Sequence, residues 1–228
     1  MQTVSALYQQ IRSGRHYAER KINIAGTDYG EDVLVSLNTT GGLFADGTLS
    51  AGGAVAREID IVLWDVDSTS IPKMAEMRPY YRITNGTQTS EWIQKGVFYI
   101  DTRSTDSGLL TIHGYDDMLK AEQVWIPDNS LGFPMTMEQA ANIIAGLMGV
   151  EIDARSVFNS AYTVDYPANE YTLRDVLRFI AAAHGGNWIM SDVGELWLVP
   201  LNTLPAETFL LCDEDGDAIQ FGSDFILV

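Results

Sequence analysis

Residues 91–119 read EWIQKGVFYIDTRSTDSGLLTIHGYDDML, and this stretch decides what kind of fold the chain adopts. β-Branched and aromatic residues dominate residues 97–101 and 109–113, which is typical of strands, and TDSG between them has turn chemistry. The spacing of the apolar residues then changes from that of a strand to that of a helix. Asp116 and Asp117 stand at the predicted start of the helix, where negative charge is favourable. The stretch therefore predicts a β-hairpin that leads into helices, and it contains no catalytic motif.

The composition of the chain allows a large packed core. Of its 228 residues, 46% are hydrophobic and 20% are charged, so disorder is not expected. Lys and Arg number 14 against 31 Asp and Glu, which gives a net charge of −17. Such a chain repels phosphate backbones, so the usual grip on nucleic acid is disfavoured. A net negative charge is equally explained by solubility alone.

Several classes of protein are disfavoured by what the sequence lacks. No apolar run approaches the ~20 residues that a membrane-spanning helix needs, so no membrane span is predicted. Residues 1–21 have neither the apolar region nor the cleavage site of a signal peptide, so none is expected. The single cysteine, Cys212, excludes an internal disulfide framework and a cysteine-rich zinc site.

The first 120 residues read as a β-rich domain. A short helix is predicted over residues 4–13, and strands are predicted over 21–24, 33–37, 54–65, 80–84 and the two runs of the opening stretch. In the longest strand the apolar residues alternate and would share one face: Ile59, Ile61 and Leu63. Five or six strands within about 100 residues suggest a small antiparallel barrel or a sandwich.

Residues 121–200 read as a small α+β domain. Thr136 and Gln139 form a capping-box pattern before a helix, and its apolar stripe is Ala140, Ile143, Ile144 and Leu147. Thr172 and Asp175 form a similar pattern before a second helix, whose inward residues would be Leu173, Val176, Leu177 and Ile180. A hairpin is predicted over residues 187–190 and 196–199.

Residues 201–228 form the third predicted segment, and it is again rich in β-type residues. Strands are predicted over 208–212, 218–221 and 225–228. The segment would either return to the first barrel or begin a second one. The predicted fold class is therefore α+β, mainly β, with domains at 1–120, 121–200 and 201–228.

The sequence contains one weak match to a metal-binding motif. Asp213, Asp215 and Asp217 alternate, and Asp224 stands at the twelfth place, as in a calcium loop. Ala218 replaces the glycine of position six, position twelve is not glutamate, and no helices flank the loop. A hairpin turn explains the same residues, so no metal is predicted.

The other polar candidates also favour structural roles. The three histidines, His16, His113 and His184, have no metal-ligand spacing with one another or with cysteine. The adjacent Asp116 and Asp117 would point about 100° apart on a helix, so they do not converge as an acid pair. The sequence therefore predicts no catalytic, cofactor-binding or metal-binding residue.

Two alternatives stay open at this point. A glycan hydrolase needs two carboxylates about 5–10 Å apart in a cleft, and the loosely plausible sources are Asp101, Asp116, Asp165 and Glu170. A glycan-binding module would use exposed aromatic residues, and the candidates are Trp64, Tyr80, Tyr81, Trp92 and Trp125. The same aromatic residues are ordinary material for a core or a subunit interface.

The order of these features resembles the tail hub proteins of tailed bacteriophages and prophages. The resemblance covers nearly the whole chain and is carried by the glycine-containing lead-in to a long strand, the paired strands that end at a helix start, the capped helix with its hairpin, and a late hairpin, at 47–61, 96–119, 171–186 and 213–222. Each motif alone is weak. Their order is the persuasive feature.

The resemblance implies a tail-tube-like barrel in a hub protein that lies between the tail tube and the tip. Such hubs form trimeric or pseudo-hexameric rings around a channel through which DNA passes without specific binding. The implied partners are further copies and other tail proteins (tube, distal tail and tip), the implied location is the virion tail, and assembly takes place in the bacterial cytoplasm. No catalytic residue is carried over, so an enzyme is not expected. Hub chains of this kind have two barrels, and the sequence predicts one full barrel with the start of a second after Pro200, so the resemblance implies a shortened hub or a fragment of one.

Overall fold

The computed structural model describes residues 4–44, 48–125, 132–166 and 170–201, with the backbone of 220–221 and 224–225. The first part contains α1 (Ala6–Arg12), β1 (Tyr17–Ile24), β2 (Thr27–Tyr29), β3 (Leu34–Thr40), β4 (Gly53–Val55), β5 (Glu58–Trp64), β6 (Glu76–Thr84), β7 (Ile93–Gln94), β8 (Phe98–Asp106) and β9 (Leu109–Tyr115). There follow β10 (Met135–Thr136), α2 (Met137–Met148), β11 (Thr163–Val164), α3 (Leu173–Ala183), β12 (Gly186–Met190), β13 (Leu196–Pro200), β14 (Gln220–Phe221) and β15 (Asp224–Phe225). Short 3-10 helices lie at Ser68–Ser70 and Asp117–Glu122.

The largest element is an eight-stranded antiparallel sheet. Its strands follow the order β2-β1-β6-β8-β9-β5-β3, and β7 pairs with β6 beside this path. The predicted hairpin of the opening stretch is confirmed as β8 and β9, and Ser107 and Gly108 in its turn have φ values of 49° and 80°. Among the described residues no ladder joins β2 to β3. The sheet is therefore open, and the predicted closed barrel is not shown.

One face of this sheet forms an apolar core. The predicted alternation in β5 is confirmed, because Ile59, Ile61 and Leu63 are each 0% exposed. They pack with buried residues of the neighbouring strands: Ile22, Met77, Phe98, Leu110 and Ile112. Burial of each aliphatic side chain contributes roughly 1.5–3 kcal/mol, so this face is the main source of stability for the sheet.

A second core lies beneath the helices. The strands β13-β12-β4 form a three-stranded sheet, and β12 pairs antiparallel with β13 and parallel with β4. The helices α2 and α3 and the 3-10 helix that begins at Asp117 cover it. The largest buried side chains here are Trp125 and Trp188, and the Trp188 indole donates to the Leu177 carbonyl at 2.9 Å.

Both predicted helices begin at their predicted caps. The Thr136 side chain accepts from the Gln139 amide and the Gln139 side chain accepts from the Thr136 amide, and Thr172 with Asp175 repeats the arrangement. Each such cap contributes about 1 kcal/mol. The inward face predicted for α3 is confirmed, but α2 is rotated from its predicted stripe. Leu147 is 52% exposed, because Ala141, Ala145 and Met148 face the core in its place.

The single strand predicted over residues 54–65 is wrong. The chain forms β4 in the three-stranded sheet, turns at Ala56 and Arg57, and continues as β5 in the eight-stranded sheet. Alternating apolar residues run through both strands, so the pattern alone contains no sign of the change of sheet. The side-chain and main-chain bonds of Arg57, described below, hold the crossing in place.

The predicted division into domains 1–120, 121–200 and 201–228 remains a prediction. In the last segment, β14 pairs antiparallel with β15. The predicted strand over 208–212 and the candidate calcium residues 213, 215 and 217 lie outside the described residues. In the part of the chain that the structure describes, no helix combines the length and the apolar character needed to cross a membrane.

A methyl group at Gly114 is expected to unfold the eight-stranded sheet. A Cβ atom there would overlap the Tyr99 carbonyl and the Met77 side chain. The backbones of Tyr99 and Gly114 are held together by the pairing of β8 with β9, so they cannot move apart to make room. Gly114→Ala should therefore lower the free energy of unfolding by more than about 3 kcal/mol.

The matched control is Gly146→Ala on the exposed side of α2, where a Cβ atom would meet nothing within 4 Å. This variant should be more stable by about 0.5–1 kcal/mol, because alanine favours a helix. Denaturant titrations of the two variants measure both effects. Similar stabilities would contradict the described packing of β8 on β9.

Candidate functional site

Arg57, at the crossing between the two sheets, forms hydrogen bonds through both its main chain and its side chain. Its amide and its Nε donate to Oδ2 of Asp116 at 3.1 and 3.4 Å, and its carbonyl accepts from the Asp116 amide at 3.0 Å. Asp116 is also the N-cap of the 3-10 helix, and its Oδ1 accepts from the Met118 amide at 3.1 Å. One carboxylate thus holds the start of β5 and the end of β9 together.

The same guanidinium reaches the turn between β12 and β13. Its terminal nitrogens donate to the Ser191 carbonyl and to Oδ1 of Asp192, both at 3.1 Å. From the other side, Nζ of Lys95 lies 3.1 Å from Oδ2 of Asp192, and Nε2 of the Gln94 side chain donates to the Asp192 carbonyl at 2.7 Å. We call Arg57, Lys95, Asp116 and Asp192 the junction. It joins the two sheets through charge-assisted bonds.

Burial changes the acidity of one member of the junction. Burial away from water raises the pKa of Asp116 to about 6, although the charge and hydrogen bonds of Arg57 and the Met118 amide oppose the rise. The side chain of Asp116 is 0% exposed and that of Arg57 is 16% exposed. Because this pKa is higher than that of an unfolded chain, the protonated carboxyl favours the folded state, and ionisation as the pH rises through about 6 costs stability.

A cavity of about 650 Å³ opens beside the junction. The junction residues Arg57 and Asp192 line it together with residues of the segment after α2, the turn before β13 and β13 itself: Glu151, Asp153, Arg155, Glu195 and Trp197. Arg155 lies 3.7 Å from the centre of the Trp197 ring and forms a two-point ion pair with Asp153. Hydrogen bonds and charge from Arg155 lower the pKa of Asp153, so this carboxyl is not a proton donor near neutrality.

Two of the four carboxylates that line the cavity are held in ion pairs. Asp153 is paired with Arg155, and Asp192 is paired with Arg57 and Lys95. The other two, Glu151 and Glu195, lie on chain segments joined by a bridge between Ile152 and Leu196.

The four carboxylates considered for glycan hydrolysis do not come together as a pair in one cleft. Asp101 and Asp116 both line a smaller cavity of about 290 Å³, but Asp116 is taken up by Arg57. Asp165 accepts from the Thr163 hydroxyl at 2.9 Å, and Glu170 lies exposed before α3. Asp117 forms an ion pair with Lys120 at 2.7 Å, so the adjacent pair Asp116 and Asp117 has two separate partners.

The histidines each bond to protein groups. Nδ1 of His16 is 2.8 Å from the Gly14 carbonyl, and Nδ1 of His113 is 2.8 Å from Oδ1 of Asp60. His184 accepts from the Asn159 amide at Nε2 and bonds the Ile180 carbonyl through Nδ1, which requires the neutral ring. Within the described ranges, no three His, Cys, Asp or Glu side chains are placed to hold a metal ion.

The candidate sugar-binding aromatics do not share one surface. Trp125 is 0% exposed, and the Tyr81 hydroxyl is hydrogen-bonded to that of Tyr8 on α1. Trp92 and Tyr80 lie together, with the Lys21 ammonium 4.9 and 5.4 Å from their ring centres. Trp64 is 53% exposed on β5. The five aromatic residues therefore lie at separate places in the core and on the surface of the sheet, and do not form one sugar-binding surface.

The comparisons with known proteins bear on the fold. No protein-family model and no curated protein matches the sequence. Among solved structures, the chain is similar to the 43 kDa tail protein of prophage MuSo2 from Shewanella oneidensis, with a TM-score of 0.52 and 14% identity over 86% of this chain. It is also similar to the tail protein from Neisseria meningitidis MC58, with a TM-score of 0.52 and 16% identity over 88% of this chain.

The chain shares its fold with these two tail proteins. It covers 59% and 57% of the length of these two proteins, which is less than two thirds of each. At these identities the likeness to the tail proteins concerns the fold alone. It agrees with the α+β, mainly β architecture predicted from the sequence.

Sequence reasoning missed most of the junction of this tail-protein fold. Asp116 was predicted at a helix start and is confirmed there, but its buried partner Arg57 is 59 residues away in the chain. Its other partner, Asp192, is 135 residues from Arg57 in the chain. The one available signal was an arginine inside an apolar run, at Ala54–Ile61. A charge at such a position requires a partner.

The pH dependence of stability should reveal the buried carboxyl. Because its pKa is higher in the folded chain than in the unfolded chain, Asp116 favours the folded state at low pH, and this contribution is lost as the pH rises through about 6. Between about pH 4 and 6 the wild type should lose on the order of 2–3 kcal/mol relative to Asp116→Asn. Chemical denaturation across this range measures the difference.

The control is Asp67→Asn at an exposed N-cap. Hydrogen bonds from Thr69 lower the pKa of Asp67, so the charged form of this carboxylate stabilises the folded state. Its contribution to stability increases as the pH rises above the folded pKa, whereas the contribution of Asp116 decreases with rising pH. If Asp116→Asn and the wild type show parallel pH profiles, Asp116 is not the buried titrating group described here.

Proposed function

We propose that this chain is a structural component of a phage or prophage tail, and that its copies assemble into a ring-shaped hub between the tail tube and the tip. The tail-protein fold supports a structural role in a tail. The hub resemblance of the sequence supports the position at the tip or baseplate. The protein would then reside in the virion tail after assembly in the bacterial cytoplasm.

The observation that carries the proposal is the inequality of the two ends of the eight-stranded sheet. At one end, β2 has three residues and includes Asp28, which blunts the edge. At the other end, β3 has seven residues, LVSLNTT, with no charged residue and no proline. Its outer main-chain groups have no strand partner among the described residues. A long, uncharged edge of this kind is a template for pairing with another chain.

A ring would use this edge repeatedly. Head-to-tail contacts between identical chains give a closed ring when the rotation between neighbours closes. The open sheet of each copy would then form one section of the ring wall, in place of the closed tube-like barrel expected from the sequence. We expect three copies, or an arrangement that imitates six-fold symmetry, with the tube, distal tail and tip proteins as neighbours.

The charge of the chain suits a channel for DNA. A net charge of −17 repels the phosphate backbone, so DNA would pass through the ring without specific binding. The ion pairs of the junction, and that of Asp153 with Arg155, support a structural role. This proposal includes no cofactor and no metal.

Asn38→Lys should weaken assembly without unfolding the chain. Asn38 is exposed on β3 and pairs in register with Asp60, so a lysine there faces solvent and an acidic neighbour in the free protein. A lysine on an edge strand opposes pairing with a further strand. We expect the association constant of the variant to fall roughly fivefold to tenfold.

Sedimentation velocity over a range of concentrations measures the association, and particle images show its form. The wild type should give rings with an axial hole, and the control Asn38→Gln should behave like the wild type. A wild-type chain that stays monomeric at high concentration would contradict the ring. Full-strength assembly of Asn38→Lys would show that β3 is not the edge used.

A further inference from the structure

The loop between β6 and β7 contains the one Asn-Gly pair of the chain, Asn85-Gly86, and residues 85–89 are exposed. In such a pair the main-chain nitrogen of the glycine can attack the side-chain carbonyl carbon of the asparagine, because glycine has no Cβ atom to obstruct the approach. Asparagine is among the residues that proteins lose through slow chemical change. The hydrogen bonds around these two residues decide whether the folded loop favours the reaction.

Two main-chain amides bind the side-chain oxygen of Asn85. The amides of Thr87 and Gln88 donate to Oδ1 at 3.0 and 2.8 Å. Attack on the side-chain carbonyl carbon places a negative charge on this oxygen, and two donors that already point at it stabilise that charge, as in an oxyanion hole. The same two bonds draw electrons away from the carbon and make it more reactive toward a nucleophile.

The attacking nitrogen has a hydrogen-bond acceptor beside it. The Gly86 amide donates to Oγ1 of Thr84 at 3.2 Å, and an oxygen that accepts this hydrogen raises the electron density on the nitrogen. The Thr84 hydroxyl itself donates to the Gln88 carbonyl and accepts from the Thr89 hydroxyl, both at 3.0 Å. Its position is therefore fixed, and Thr84 is a positioning residue for the Gly86 nitrogen.

The backbone of the loop is closed around the two reacting groups. The Asn85 amide donates to the Gln88 carbonyl at 3.1 Å, and Gly86 has a φ of 87°, in the left-handed region that favours glycine. A Cβ atom at Gly86 would meet nothing within 4 Å, so the space beside this residue is open. Because the reacting atoms belong to neighbouring residues in a closed loop, ring formation is intramolecular and needs little further ordering.

We propose that this loop is a site of spontaneous deamidation at Asn85, activated by the fold. The Gly86 nitrogen forms a bond to Cγ of Asn85 and gives up its proton to solvent. The bond between Cγ and Nδ2 breaks, and Nδ2 takes up a proton from solvent and leaves as ammonia. One water molecule then opens the five-membered imide ring and yields aspartate or isoaspartate. The reaction consumes only water.

The two products affect the loop differently. Aspartate keeps an oxygen that can accept from the Thr87 and Gln88 amides and adds one negative charge to the chain. Isoaspartate also adds the charge, but it lengthens the main chain inside the loop that is closed by the bridge between Thr84 and Thr89. Old copies of the protein would therefore differ from new ones at this loop. The site does not depend on the proposed ring.

Incubation of the folded full chain at mildly alkaline pH tests the site, and mass spectrometry of the tryptic peptide 83–95 follows Asn85. The internal control is Asn159, which is exposed, precedes a serine and accepts from one amide, that of Ala161. Asn85 should react about tenfold faster than Asn159 or more, and part of the product should be isoaspartate, the signature of the imide. The folded chain should also react about threefold faster than the chain unfolded in guanidinium, or more.

Two matched variants test the activation by the fold. Thr84→Val removes the hydroxyl beside the Gly86 nitrogen and should slow the reaction about threefold or more, whereas Thr84→Ser keeps the hydroxyl and should react almost as the wild type does. Thermal unfolding checks that both variants are folded. The proposal is overturned if the folded chain reacts no faster than the unfolded chain, if Asn85 reacts no faster than Asn159, or if Thr84→Val reacts as fast as Thr84→Ser.

Discussion

The structure depends on the bonds of one buried arginine. The chain leaves the three-stranded sheet and enters the eight-stranded sheet at Arg57, and the end of β9 enters the helical layer beside it at Asp116. The guanidinium also binds the turn that contains Asp192. Removal of the arginine would leave a fully buried carboxylate without its counter-charge, which is far more costly than loss of an exposed ion pair. The relative position of the two sheets is therefore set at this point.

Local features of the fold were predictable because short-range physics determines them. The hairpin of β8 and β9 follows from its strand residues and its turn, and the starts of α2 and α3 follow from Thr136 and Thr172. The inward face of β5 follows from strict alternation. In each case the information lies within about ten residues of the element, so the sequence pattern contains it.

The non-local features could not be read in the same way. The strand predicted over residues 54–65 belongs to two sheets because β4 pairs with β12, more than a hundred residues later. The exposure of Leu147 depends on how α2 lies on the core, and alanines at 141 and 145 allow the closer approach. The junction likewise joins residues from distant parts of the chain. Pairing partners of this kind are absent from any local pattern.

The open sheet connects the fold to the proposed role. A domain that closed its own barrel would have no free edge, whereas this sheet ends in an uncharged strand. That strand, β3, pairs with β5, whose start the junction holds against β9 and against the turn between β12 and β13. Rigid presentation of an edge is what a repeating contact requires. Of the carboxylates that sequence reasoning offered as catalytic, Asp116 serves the same rigidity through its bonds to Arg57.

Hydrogen–deuterium exchange of Arg57→Met tests the central claim most directly, with Arg82→Met at the half-exposed Arg82–Glu19 pair as the control. If the junction sets the position of the sheets, amides should lose protection together at Met118 and in the turn around Ser191 and Gly194, while the ladder between β1 and β6 keeps its protection. Protection unchanged from the wild type at both places would contradict the account.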